Sequence, residues 1–260
     1  MRRTALVPLA LAAALAACGG KYTTASGEMK YGKSAEENYQ AGQEELNAKH
    51  YPDAVKFFEF VKTKYPFSKF AALSELRLAD AKFQQERWPE AAEDYQRFAQ
   101  LHPTHEDVDY ADFRIGLSRY KDAPTDFFLF PPSYEKDQKA ITLAAKAFRD
   151  FLAKHPDSKY VPEAKRLLAE VDGRLADHEW YVAEFYLKRD LWAGAAGRLE
   201  GLVKSYPGNR HEVPALLRLA DAYEKLNEKF RARTALQQLI AKHPDDPRRT
   251  EAERRLASLR

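Results

Sequence analysis

The chain has 260 residues, 42 Lys and Arg against 39 Asp and Glu, and one cysteine. A single thiol excludes an internal disulfide and a zinc site built from four cysteines, while 45% hydrophobic and 12% aromatic residues exclude a disordered chain. Arg2 and Arg3 account for most of the +3 formal charge, so the remainder is near balance and nothing in it points to nucleic acid.

Residues Thr4 to Ala17 follow the two arginines as 14 uncharged positions, mostly Ala and Leu. That is the length of a signal-peptide core and short of the roughly 20 apolar residues a membrane-spanning helix needs. The run ends in Leu15-Ala16-Ala17-Cys18, which resembles the bacterial lipobox. The resemblance implies cleavage before Cys18, a covalent lipid on its thiol, and a protein anchored by acyl chains. Gly19 stands where an Asp would resemble an inner-membrane retention signal, so the expected address is the periplasmic face of the outer membrane. Residues 1–17 are then a signal peptide, and 18–34 a lipidated cysteine with a polar, flexible tether.

Beyond residue 34 the chain repeats itself. An aromatic ring precedes proline five times, at Tyr65-Pro66, His102-Pro103, His155-Pro156, Tyr206-Pro207 and His243-Pro244. Each proline stops a helix, because it lacks an amide hydrogen and disfavours helix in the residue before it. Twelve residues before each proline stands alanine: Ala54, Ala91, Ala144, Ala195 and Ala232. Eight before it the residue is large: Phe58, Tyr95, Phe148, Leu199 or Leu236. Twenty-four before it, except in the third repeat, are Gly42, Ala79, Ala183 and Ala220. Small residues recur where two helices approach closely, and large ones fill the groove beside them. The register resembles the tetratricopeptide (TPR) pattern, which implies an all-α solenoid of five helix-turn-helix repeats in a right-handed superhelix.

Two proline spacings are longer than the others. The second-to-third gains 16 residues. Gly116 marks the small position of that repeat, so the extra residues lie between its helices and contain Phe127, Phe128, Phe130 and Pro131-Pro132. Such a loop is either packed on the solenoid or a binding element. The third-to-fourth gains 14 residues of helical periodicity, so one helix about four turns longer than its counterparts is expected there, with Gly173 its weak point. The expected division is repeats 1–3 over 35–174 and repeats 4–5 with a capping helix over 175–260. In that last helix Ala252, Leu256 and Leu259 share a face, with Arg248, Arg249, Arg254 and Arg255 mainly elsewhere. Its default role is a solvated cap, and an anionic partner is the alternative.

The chain carries no Gly-rich phosphate loop, no H-E-x-x-H and no G-x-S-x-G. His102 and His105 have metal-like spacing, but His102, His155 and His243 occupy the place of Tyr65 and Tyr206, which a packed ring explains. Glu106, Asp107 and Asp109 open a helix, where carboxylates favour the dipole. The expectation is no enzyme, no metal, and no cofactor beyond the lipid on Cys18.

Several stretches resemble the BamD family of the bacterial β-barrel assembly machinery in more than the repeat pattern. They are "KYPFSKFAALSELRLADAKF", "LHPTHEDVDYADFRIGLSRY", "DFFLF" and "HEWYVAEFYLKRDLWAGAAGRLEGLVKSYP". The stretch "PPSYEKDQ" departs from the acidic, Arg-containing insertion of the family, so no contact by that loop is implied. The resemblance implies an outer-membrane lipoprotein scaffold that docks the periplasmic POTRA domains of BamA, sits beside other Bam lipoproteins, and helps receive and insert unfolded outer-membrane proteins. Arg198 matches the arginine of the BamA contact, with Glu200 and Tyr186 as neighbours; its alternative is an ordinary exposed helix residue. A substrate signal ending in an aromatic and a carboxylate wants an apolar slot and a cation, for which Tyr65, Phe67, Phe70, Arg77 and Arg114 are candidates. Tyr65 and Phe67 equally suit a capped repeat junction. The alternative function is another TPR lipoprotein, such as a pilotin for secretin or type IV pilus assembly.

Overall fold

The computed structural model describes residues 22, 28–126, 129 and 131–259. The expected signal peptide, Cys18, Phe127, Phe128 and Phe130 lie outside the described residues. Among those described, helices dominate. They are α1 (Ala35–Asn47), α2 (Tyr51–Lys64), α3 (Lys69–Gln84), α4 (Trp88–Leu101), α5 (Val108–Asp122), α6 (Lys139–Lys154), α7 (Val161–Leu187), α8 (Trp192–Ser205), α9 (Glu212–Lys225), α10 (Lys229–Lys242) and α11 (Arg249–Ser258). The chain forms two compact units, one ending at Ser74 and one beginning at Glu75.

The first unit packs α1 on α2. Ser34 caps α1 by accepting from the Glu37 amide at 3.1 Å, and the Glu37 carboxylate accepts from the Lys33 amide at 2.7 Å. This is a variant of the reciprocal capping box. Tyr22 and Tyr31 fall in the stretch expected as a tether, yet both rings pack on α2. Tyr31 stacks on Phe60 at 4.0 Å, and Tyr22 meets Phe57 edge-on at 5.3 Å.

The helix pairs end in the way the sequence register requires. Each ring before a proline is the C-cap of its helix, with φ between −126° and −129°, and its amide bonds the carbonyl four residues back. At the other end of four pairs the chain turns through one left-handed residue: Lys49, Glu86, Asp190 or Asn227. Beside each, an amide reaches back five residues, as in His50 to Glu45 at 2.8 Å and Glu228 to Tyr223 at 2.8 Å. That is the Schellman closure, which satisfies the last free carbonyls of a helix.

The cores follow the small-to-large pattern. Ala54, Ala91, Ala144, Ala195 and Ala232 are fully buried, as are Phe58, Tyr95, Phe148, Leu199 and Leu236. Contact is closest where the small residue is glycine. A Cβ on Gly42 would fall 2.7 Å from the Phe58 ring, and one on Gly116 would fall 2.6 Å from Phe148. In the second unit one core lies between α5, α6 and the first half of α7, and another around α8, α9 and α10. The 27 residues of α7 serve both, Leu167 and Val171 in the first core and Ala183 in the second.

The two glycines of the α5–α7 region give opposite predictions. Gly116→Ala should lower stability by about 1–3 kcal/mol, because the buried Phe148 ring must move. Gly173 has nothing within 4 Å of an added Cβ, so Gly173→Ala should raise stability by about 1 kcal/mol through helix propensity alone. Urea titrations followed by helical circular dichroism distinguish the two signs.

The described part of the insertion packs on α7. A short 3-10 turn, Ser133–Glu135, sets Tyr134 against Tyr181 at 5.4 Å, and the Tyr134 carbonyl meets His178 Nδ1 at 2.6 Å. At the C-terminus Ala252 is buried and Leu256 and Leu259 pack on the core beneath. Three of the four arginines there hold acidic neighbours: Arg248 with Asp246, Arg249 with Glu253, and Arg255 with Asp221 and Glu224. The cationic face available to an anionic partner is correspondingly small.

Candidate partner-binding surfaces

The residues singled out on α7 and α8 fall on two sides of one helix. Arg198 and Tyr186 line a groove of about 430 Å³ with Glu179, Gly194 and Tyr206. Glu200 lies two residues on from Arg198, which on a helix is a rotation of about 200°. It lines the next groove, of about 590 Å³, where it accepts from Arg231 at 2.7 Å and from the Tyr223 hydroxyl. Burial, and then that bond to Glu200, push the Tyr223 hydroxyl above the ordinary phenol range, so it stays a donor. Arg198 and Tyr186 are therefore brought together, and Glu200 is held apart from them by its own network.

Arg198 owes its setting to a substitution between repeats. Four residues before the small positions Ala79, Gly116 and Ala183 stand Glu75, Asp112 and Glu179. In the second and third repeats this carboxylate holds the terminal ring, His102 to Glu75 and His155 to Asp112, each at 2.8 Å. In the fourth repeat the ring is Tyr206, which carries no positive charge, and Glu179 instead pairs with Arg198. The Arg198 Nη1 lies 3.3 Å from both Glu179 oxygens, and the arginine side chain is 44% exposed. Its Nε and Nη2 make no hydrogen bond among the described residues. Tyr186 is wedged under Gly194, where a Cβ would sit 3.1 Å from the ring. The groove thus presents an oriented guanidinium with unspent donors beside an aromatic wall, the geometry suited to a partner carboxylate.

The substrate-signal candidates divide between the two units. In the first, the Tyr65 hydroxyl donates to the Lys33 carbonyl at 3.2 Å, and Phe70 packs on Tyr39 with ring centres 5.4 Å apart. Phe67 is 103% exposed, an aromatic ring with no protein cover. In the second unit Arg77 and Arg114 converge on the buried Asp80. Its carboxylate pairs with Arg77 and accepts from Tyr95 at 2.5 Å and Tyr110 at 2.7 Å. Arg114 donates to the Tyr95 oxygen at 3.1 Å and lies 3.8 Å from the Phe83 ring centre. Burial and the Asp80 charge drive both tyrosines well above their ordinary pKa, so each remains a hydrogen-bond donor. Burial disfavours charge on Arg114, but Tyr95, Tyr110 and Asp80 outweigh it and the guanidinium is held charged. No group of three His, Cys, Asp or Glu suited to a metal occurs among the described residues.

Sequence reasoning singled out Arg198 and did not mark Glu179 or Asp80, the carboxylates beside which the arginines lie. The signal for Glu179 was available in the carboxylate that recurs four residues before the small position.

Residues 32–239 match the model of the YfiO family, described as outer membrane lipoprotein. The chain is similar to the outer membrane protein assembly factor BamD of Neisseria meningitidis serogroup A, with 30% identity over 95% of this chain and 94% of that protein. The same-named protein of Xylella fastidiosa (strain 9a5c) is 27% identical over 83% of this chain and 75% of its own. The solved TPR2AB domain of yeast Sti1, in its pHSP90 complex, aligns at 13% identity with TM-score 0.41, over 86% of this chain and 82% of that one.

Proposed function

This chain belongs to the YfiO family of outer membrane lipoproteins, and from that premise we propose that it is an assembly factor of the outer-membrane β-barrel machinery, working as a scaffold rather than an enzyme. The observation that carries the reading is Arg198. It lies within a stretch matched by relatives named as assembly factors, and it keeps two donor nitrogens free in an open groove. Repeats 4–5 dock the POTRA domains of the barrel protein through Arg198, with Tyr186 supporting the same groove and Glu200 flanking it. Repeats 1–3 receive unfolded outer-membrane proteins, with Phe67 the ring most accessible to a substrate aromatic. Tyr65, Phe70, Arg77 and Arg114 are the other candidates. Arg77 pairs with Asp80 and Arg114 is bonded to the Tyr95 oxygen 4.0 Å from the same carboxylate, so a substrate carboxylate would have to compete for them.

The anchor in this reading is a lipid on Cys18 that places the scaffold at the periplasmic face of the outer membrane. No helix among the described residues is long and apolar enough to cross a membrane. Crosslinking the full lipoprotein in membranes tests the assignment. Recovery of a POTRA-bearing barrel protein is expected, together with loss of outer-membrane barrels on depletion. Recovery of a secretin alone, with barrels at normal levels, would replace this reading by the pilotin one.

A further inference from the structure

A second groove, of about 530 Å³, shares no lining residue with that of Arg198. It lies between the end of α7, the start of α8 and α9, where Leu187 and Trp192 supply apolar surface, Lys188, Arg218 and Lys225 positive charge, and Glu184, Asp221 and Glu224 negative charge. We propose that this groove binds an extended acidic segment of a partner protein, with an apolar side chain on Trp192 and an Asp or Glu side chain on Arg218.

The unspent groups carry the argument. Arg218 is more than half exposed. It lies 3.9 Å from Glu184 Oε1 and 3.7 Å from Asp221 Oδ2, close enough for charge attraction but beyond hydrogen-bond length. Its guanidinium makes no hydrogen bond to protein among the described residues, so its fork of donors is available to a carboxylate. The local acids do not fill that role. Asp221 and Glu224 are drawn toward the half-buried Arg255, at 2.6 and 2.7 Å. Lys188 has no ion pair among the described residues, and the Lys225 ammonium lies 5.8 Å from the Trp192 ring centre. With Asp221 and Glu224 turned toward Arg255, the uncommitted charge on the rim is that of Lys188, Arg218 and Lys225, which favours a segment with more than one acidic side chain over a single terminal carboxylate.

The test uses the whole mature chain and an acetylated, amidated six-residue peptide alternating Asp and Leu, read by calorimetry at low and moderate salt. A matched Lys/Leu peptide and a free-carboxylate Ala/Leu peptide serve as comparisons. The acidic peptide should bind at least tenfold more tightly than either and weaken as salt rises. Arg218→Glu and Trp192→Ala should each lower its affinity tenfold or more with helical circular dichroism intact, and Arg198→Glu should leave it unchanged. Equal binding of the basic peptide, preference for the terminal carboxylate, no binding at millimolar peptide, or indifference to Arg218→Glu would each overturn the proposal.

Discussion

Asp80→Ala should destabilise the unit that begins at Glu75 by about 3–5 kcal/mol, the range for removing one partner from a buried ionic network. The reason lies in what the carboxylate holds. Asp80 projects from α3 into a space where α4 supplies Tyr95 and α5 supplies Tyr110 and Arg114. Its side chain is 6% exposed. Without it, two phenol hydroxyls and Arg77 lose their acceptor, the Arg114 charge loses its counter-ion, and water has little access to replace it. Tyr110→Phe, which removes one donor and leaves the carboxylate its other partners, should cost only about 1 kcal/mol. Denaturant titration monitored by helical circular dichroism measures both. An Asp80→Ala variant within about 1 kcal/mol of the parent would show that the network rearranges freely, and that Arg77 and Arg114 are available for other work.

The same cluster shows where reading the sequence stops. The alanines twelve residues before each proline and the rings or leucines eight before it could be read directly, because packing at a helix crossing demands fixed sizes at fixed spacing. Gly42 and Gly116 were legible for the same reason, and each meets a phenylalanine ring. The turns were not. Lys49, Glu86, Asp190 and Asn227 all adopt left-handed backbone 17 residues before a proline, yet only Asn and Asp tolerate that conformation readily. The tertiary closure of each pair imposes it on the others. Asp80 was equally hidden, since a carboxylate on a helix with Lys and Arg nearby reads as solvated until the neighbouring helices bring tyrosines to it. Among the site residues, Arg198 was marked by resemblance and the structure adds its partner Glu179. Glu200 was given as a neighbour of Arg198 under the same resemblance, and helical rotation places it in the next groove.

That separation makes the docking prediction specific. Arg198→Glu should weaken binding of the POTRA-bearing partner by about 2–5 kcal/mol, the cost of losing one member of a desolvated interfacial charge pair. Two effects act in the same direction. The partner carboxylate loses a guanidinium, and the introduced carboxylate stands beside Glu179, adding a like charge to the groove floor. The fold should not suffer comparably, because Arg198 is half exposed and its pair with Glu179 is a single-nitrogen contact at 3.3 Å. Surface pairs of that kind contribute at most about 1 kcal/mol. Arg198→Lys should retain part of the binding, keeping the charge and losing the planar fork. Glu200→Ala should act by a different route, releasing Arg231 and Tyr223 in the neighbouring groove, and should affect docking less. A titration of the isolated POTRA domains against the four proteins ranks them. Equal losses for Arg198→Glu and Glu200→Ala would place the contact across α8 as a whole, and an unchanged dissociation constant for Arg198→Glu would remove the groove from the interface.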